Sequence, residues 1–138
     1  MEDFFSTIYY YTNSLYDEML DTYLYETIPG YFHVGLILLI STLIICYMFY
    51  YLFAPVRKQT LWWFLYAGIN AVVNILVALW YSMTPLINNE IAIDERWTYL
   101  DCFGFSIANV FWSFIFFVIA SLILKWGSIA KYVPFQKF

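Results

Sequence analysis

The feature that most constrains this chain is an apolar run at residues 61–84, LWWFLYAGINAVVNILVALWYSMT. The run contains no charged residue and is long enough to cross a bilayer as a helix, which takes about 20 residues. Similar runs lie on either side of it, at residues 31–54 and 100–124. The sequence therefore predicts an all-α integral membrane protein with three transmembrane helices.

The composition agrees with a chain surrounded by lipid. Of the 138 residues, 64% are hydrophobic and only 12% are charged, whereas a soluble domain has about 25% charged residues. The net charge of -4 comes without a basic patch, so nucleic acid is not an expected partner. The expected surroundings are the lipid bilayer and other membrane-embedded protein.

Residues 1–30 precede the first span and contain six carboxylates but no lysine or arginine. Since a secretory signal begins with basic residues, this segment is not expected to be one. Its apolar residues recur at helical spacing, which predicts an amphipathic helix that ends at Pro29 and Gly30. Helices that adhere to lipid usually have a basic polar face, so we expect this one to pack against protein or line a mouth. The predicted apolar stripe comprises Phe4, Phe5, Ile8, Tyr9, Leu15, Tyr16, Met19, Leu20 and Tyr23.

The acidic side of this helix is a candidate binding surface. Asp17, Glu18 and Asp21 lie opposite the apolar stripe, and Asp101 begins the third span at the same membrane boundary. Together they form the predicted outer acidic face, which is expected to stay exposed to a cation or a basic partner.

The charge distribution predicts the orientation of the chain. Five of the six basic residues lie in the short loop before residue 61 or in the tail at residues 125–138. All ten acidic residues lie in the N-terminal segment, in the second loop, or at Asp101. The positive-inside rule then places the N-terminus outside and the C-terminus in the cytoplasm of a multi-pass protein of the cell membrane. We expect an outer helix at 1–30 and a membrane domain at 31–138, whose basic, aromatic tail lies along the interface.

Polar residues form a face on two of the spans. Asn70 and Asn74 are four residues apart, and Ser106, Asn109 and Ser113 follow one side of the third span. Such amides need partners in lipid. One interpretation is that the two faces pack together and the amides join the helices. The other is that they line a hydrated path or a binding groove, in an oligomer.

The motifs of known chemistry are missing. There is no glycine-rich phosphate loop, no histidine pair, no cysteine pair at metal spacing and no Ser-His-Asp set. No charged residue lies in the middle of a span, which argues against a proton relay or an ion-coupled transporter. We therefore predict a protein that is not an enzyme and has no cofactor and no metal.

Two function classes stay open from the sequence. The first is a self-assembling membrane protein, either a small channel or a membrane-disrupting effector, in a closed homo-oligomer. The second is an anchor or assembly subunit of a larger envelope complex, with the acidic helix and the tail as docking surfaces. An immunity or exclusion protein has the same sequence features.

Overall fold

The computed structural model describes residues 2–131 and 133–134, except for the side chains of Glu2 and Glu95. No strand occurs in this part of the chain, and the second loop, which allowed a turn or a strand, contains a short 3₁₀ turn at Ile93–Glu95. The α-helices are α1 (Glu2–Tyr10), α2 (Glu18–Thr22), α3 (Gly30–Tyr47), α4 (Gln59–Ile87) and α5 (Tyr99–Leu124).

Three helical segments are long and apolar enough to cross a membrane. They are α3 with the π-helical turn that extends it, Gly30–Phe53, then α4, then α5 with its final 3₁₀ turn, Tyr99–Gly127. The structure thus confirms the all-α class and the three apolar helices of a multi-pass membrane protein. The second and third spans are slightly longer than predicted, and the first has the predicted length but begins one residue earlier.

The largest difference in length is at Pro85, which was expected to end the second span. Helix α4 instead continues through this proline to Ile87. Proline removes only one backbone donor here, and the helical pattern resumes after it, with Asn88 N donating to Thr84 O at 3.0 Å. One lost hydrogen bond in the last turn of a helix is tolerated, whereas a proline in the middle of a helix kinks it.

The first two spans form the tight hairpin that the sequence predicts. The π-helical turn ends at Ala54, which has a left-handed backbone (φ 39°), and Pro55 follows it. Lys58 has a second left-handed backbone (φ 53°) directly before α4. The chain therefore reverses within five residues.

The spans pack pairwise, with α5 against both α3 and α4. We call the end of the bundle that carries the N-terminal segment and the second loop the acidic end, and the opposite end the basic end. One aromatic core cluster fills the acidic end, around Tyr9, Tyr31 and Phe105, and a second fills the basic end, around Tyr50 and Phe117.

The N-terminal segment differs most from its prediction. In place of one amphipathic helix, residues 2–28 form α1, a 3₁₀ turn at Asn13–Leu15, α2 and a π-helical turn at Tyr23–Thr27. Tyr16 has an extended backbone that breaks the helix, and Asp17 begins α2 by accepting a hydrogen bond from Met19 N at 3.1 Å. Short polar side chains favour such caps over a helix interior, which is why the helical spacing does not continue as one helix.

This segment reverses direction, and we call residues 2–28 the N-terminal hairpin. Trp112 Nε1 donates to Thr12 Oγ1 at 3.1 Å, and Trp112 lies at the middle of α5, about 20 Å along the helix from its first residue. The returning limb then passes Gly104, nearer the acidic end. This segment was expected to dock on the outer ends of the spans or at the interface, and the structure places Thr12, at its tip, beside the Trp112 side chain of mid-α5.

The apolar stripe of the N-terminal segment is also narrower than predicted. Phe4, Leu15 and Met19 are exposed. The buried members are Phe5, Tyr9, Tyr16, Leu20 and Leu24. The break at residues 11–17 shifts the helical phase, so the second limb buries a different face from the one that continuous spacing predicts.

The described part of the tail, which the sequence places along the interface, folds onto the basic end of the bundle. Tyr50 Oη donates to Val133 O at 2.8 Å, and Ser128 Oγ donates to the Tyr50 carbonyl. The Lys125 side chain is buried, with its Nζ atom 5.0 Å from the centre of the Trp126 ring. The predictions for Tyr132, Phe135 and Lys137 lie outside the described residues.

Candidate functional site

The three asparagines of the spans lie in the interior and contact one another. Asn70 is 1% exposed, and Asn74 and Asn109 are fully buried. Asn109 Nδ2 donates to the Asn74 carbonyl at 2.8 Å, and Asn74 Nδ2 donates to the Asn70 carbonyl at 2.9 Å. The faces that the sequence singled out on α4 and α5 therefore pack against each other, and we call these residues the amide cluster.

Helix α3 completes the amide cluster. Asn70 Nδ2 donates to Thr42 Oγ1 at 3.1 Å, and Asn74 Nδ2 lies 3.3 Å from Ser41 Oγ. Ser41 also bonds to its own helix, at the Leu38 carbonyl, as serine in a membrane helix often does. The role of Thr42 was missed because a threonine that can bond its own backbone gives no signal of a partner.

The two serines of the predicted polar face have weaker roles. Ser106 and Ser113 are buried, but their hydroxyls donate to carbonyls of their own helix, at Cys102 and Val110. The Ser113 carbonyl accepts from Asn70 Nδ2 at 3.4 Å. The structure thus brings Ser113 to the amide cluster through its backbone, and Ser106 lies one turn nearer the acidic end.

One acceptor of the amide cluster has no partner. Asn74 Oδ1 is the only buried side-chain nitrogen or oxygen that lacks a hydrogen bond among the described residues. Since buried polar groups are nearly always paired, an orphan of this kind requires an explanation. It lies in the middle of the bundle, where the three spans meet.

A tyrosine cluster closes the amide cluster toward the acidic end. Tyr9 donates to Asn109 Oδ1 across one hundred residues of sequence. The Tyr9 ring stacks on Tyr31 with 5.0 Å between centroids, Tyr31 donates to Asp21, and the hydroxyls of Tyr16 and Tyr31 are 2.7 Å apart. Burial raises the pKa of Tyr9 and of Tyr16 well above the ordinary value of 10.0, so both hydroxyls stay protonated.

The sequence predicted burial for Tyr9 and Tyr16 but no polar role for either. Nothing local reveals that a hydroxyl at residue 9 reaches an amide at residue 109, because the contact depends on how deeply the N-terminal hairpin inserts.

Glycines let the N-terminal hairpin approach the spans. A Cβ added at Gly104 would overlap the Leu15 carbonyl oxygen, and one added at Gly35 would overlap the Phe5 ring. The partner of Gly104, a small residue on the third span, is therefore the N-terminal hairpin.

The four carboxylates of the predicted outer acidic face do not act as one set. Asp17 caps α2, and Asp101 forms a capping box with Thr98, accepting from its backbone N–H at 2.9 Å and its hydroxyl at 2.7 Å. Asp21 is half-buried and accepts from Tyr31, while Glu18 is exposed. Helix capping therefore gives Asp17 and Asp101 a structural role.

A cleft of about 360 Å³ opens between the two limbs of the N-terminal hairpin. Carboxylates and aromatic rings share its lining. The lining residues are Asp3, Ser6, Thr7, Tyr10, Asp21, Tyr25 and Tyr31. No group of three or more histidine, cysteine or carboxylate residues at metal-binding geometry occurs in the described part of the chain.

The basic end has its own polar contacts. Trp63 Nε1 donates to Ser121 Oγ at 2.9 Å, and Cys46 Sγ lies 3.7 Å from the same oxygen. Cys46 and Cys102 are buried free thiols.

Comparisons with protein-family models, with curated proteins and with solved structures found no match to this chain.

Proposed function

We propose that this chain is a non-enzymatic membrane protein that serves as an anchor or assembly subunit of a larger envelope complex. The observation that carries the proposal is that the amide cluster bonds within one chain. Asn109, Asn74 and Asn70 reach partners on α1, α3 and α4. The argument for a homo-oligomer was that the amides need hydrogen-bond partners. Contacts within one chain largely meet that need.

The acidic end offers the surface for a partner. Among the described residues of this end, Arg96 is the only lysine or arginine, and it donates to the Ile91 carbonyl and to Asn89 Oδ1. Glu18 and Glu26 are exposed. A surface with this excess of negative charge attracts and orients a basic partner.

The proposed orientation places the acidic end outside the cell membrane and the basic end in the cytoplasm. Arg57 and Lys58 are exposed at the basic end, which supports this orientation by the positive-inside rule. Single cysteines at Ile93 and Val56, both strongly exposed and at opposite ends, test it. An impermeant thiol reagent applied to intact cells is expected to label the first and not the second.

The test of function combines mass measurement with a charge change. The wild-type protein is extracted in mild detergent, and its mass is expected to be that of a monomer with other proteins. Glu18→Gln with Glu26→Gln, at two exposed carboxylates, is expected to lose those proteins, while Arg57→Gln with Lys58→Gln, the matched change at the other end, keeps them. A homo-oligomer with no other protein would contradict the proposal.

A self-assembling channel or membrane-disrupting effector is the second candidate. The observation that favours it is Asn74 Oδ1, the orphan acceptor in mid-bundle, because a water-filled path would supply its missing donor. Ion conductance in liposomes that hold the purified protein alone distinguishes this candidate from an assembly subunit.

A further inference from the structure

We propose that the N-terminal hairpin is a gate, which closes the acidic-end entrance to the amide cluster and lets water reach that cluster when it swings away. This inference goes beyond the proposed function and does not depend on any partner. It follows from what the N-terminal hairpin covers, from what lies beneath it, and from how it is attached.

The N-terminal hairpin covers the acidic-end side of the amide cluster in this structure. Its Tyr9 hydroxyl donates a hydrogen bond to the side-chain oxygen of Asn109. The Leu15 carbonyl lies directly against Gly104, also on α5. Tyr16 packs edge-on against Phe105, with 5.3 Å between ring centroids. With these side chains in place, the amide cluster is at most 1% exposed.

The interior beyond the N-terminal hairpin contains a row of hydrogen-bonded polar groups. From Asn109 the hydrogen bonds run to Asn74, then to Asn70, then to Thr42 on α3. Asn74 Oδ1, in the same row, accepts no hydrogen bond. Water admitted from the acidic end would find a row of groups able to bond it, and it would supply the donor that the closed state lacks.

The N-terminal hairpin can leave while the spans stay together. Its helices have nine and five residues, and helices of this length are not stable alone. The spans have contacts of their own: Trp97 Nε1 donates to the Ser82 carbonyl at 3.0 Å, and Trp63 Nε1 donates to Ser121. Short, locally attached elements open at lower free energy than the core they cover.

The experiment reports on water at the polar face of α5, between the acidic end and the amide cluster. Ser106 lies one turn from Asn109 on α5 and is 3% exposed, so Ser106→Cys introduces a thiol that is shielded while the gate is closed. Cys102, a native thiol one turn from residue 106, is replaced by serine in every variant so that it is not labelled. A water-soluble thiol reagent is applied to the full-length protein in liposomes, and the labelling rates of the introduced thiol and of the buried Cys46 are measured.

Two glycines provide a matched pair of variants. In Gly104→Ala the new methyl overlaps the Leu15 carbonyl and pushes the N-terminal hairpin away, whereas at Gly68, on α4, a Cβ meets no atom within 4 Å. Labelling of the Ser106→Cys thiol is expected to be at least about tenfold faster with Gly104→Ala than with Gly68→Ala, at an unchanged Cys46 rate.

A second variant keeps the test decisive where Gly104→Ala does not fold. Tyr9→Phe removes only the hydroxyl that bonds Asn109 and is expected to speed labelling about fivefold. Equal rates in Tyr9→Phe and wild type would overturn the proposal. A parallel rise at Cys46 would overturn it as well, because the N-terminal hairpin would then open only with the whole bundle.

Discussion

Trp112 on α5 donates a 3.1 Å hydrogen bond to Thr12, at the tip of the N-terminal hairpin. This contact joins the middle of the third span to a segment that precedes the first span. It turns a bundle of three helices into one with a fourth, re-entrant element. Backbone at this depth needs partners for its polar groups, and the tip has turn hydrogen bonds of its own, such as Thr12 N to Tyr9 O at 3.0 Å. Phe5, Tyr9 and Tyr16 bury one side of the hairpin against the spans, while Tyr10 and Tyr11 are exposed on the other.

The first prediction concerns the coupling between the N-terminal hairpin and α5. Tyr9→Phe and Asn109→Leu each remove the same hydrogen bond, so their effects on the free energy of unfolding should not add. The expected interaction energy is about 1 kcal/mol, from a double-mutant cycle in detergent. Ile69→Leu, on the exposed side of α4, serves as the control. Strictly additive effects would show that the bond does not form.

The second prediction compares two adjacent phenylalanines, of which only one is expected to hold the N-terminal hairpin in place. Phe5 is buried against Gly35, whereas Phe4 is exposed. Phe5→Ala should release the N-terminal hairpin, because truncating a buried phenylalanine costs about 3–5 kcal/mol. Phe4→Ala should leave it docked. Limited chymotrypsin digestion from the acidic side reports release as cleavage at Tyr9 and Tyr16, which are buried while the hairpin is docked.

Equal resistance of the Phe4→Ala and Phe5→Ala variants to chymotrypsin would contradict this packing. Faster cleavage of Phe4→Ala than of Phe5→Ala would favour the apolar face that continuous helical spacing predicts.

The third prediction is a loss of stability at alkaline pH. Burial raises the pKa of Tyr9 and of Tyr16 above the value of 10.0 that an unfolded tyrosine has. The folded state therefore holds protons that the unfolded state releases, so this part of the stability is complete below pH 10 and decreases as the pH rises above it. Phenolate absorbance, followed together with chymotrypsin cleavage, should show these tyrosines ionising only when the N-terminal hairpin is released. Ionisation with the hairpin still protected would contradict their burial.

The fourth prediction concerns the start of α5. Asp101→Ala removes the capping box with Thr98, and its expected cost is about 1 kcal/mol of unfolding free energy. Glu18→Ala, at an exposed carboxylate that caps nothing in the structure, is expected to cost much less. Comparable losses in the two variants would mean that the cap contributes little.

Much of the membrane domain could be predicted from the sequence. The apolar runs predict the three spans, and the spacing of Asn70, Asn74 and Asn109 predicts the faces that meet inside the bundle. Both are properties of a single helix, and one-dimensional spacing reports them directly. The helix ends at Phe53 and Gln59 follow from Pro55 and the basic loop.

The N-terminal hairpin could not be predicted in the same way. The spacing from Phe4 to Tyr23 fits one helix, and the break at Tyr16 and Asp17 depends on a cap that competes only weakly with helix. Its depth depends on close approach at Gly35 and Gly104, and a glycine gives no indication of which segment will fill its space. The tyrosine hydroxyls gained partners only through this long-range packing.

The depth of the hairpin tip in a bilayer tests the central claim most directly. A spin label is attached at Tyr11→Cys, the exposed tip, and at two reference positions, Phe111→Cys in mid-α5 and Ile93→Cys in the second loop, all exposed in the structure. Collision rates with oxygen, which dissolves in lipid, and with a water-soluble nickel complex report the depth of each label. The tip is expected to match Phe111, in the hydrocarbon region; a tip that matches Ile93, at the water boundary, would contradict the re-entrant hairpin.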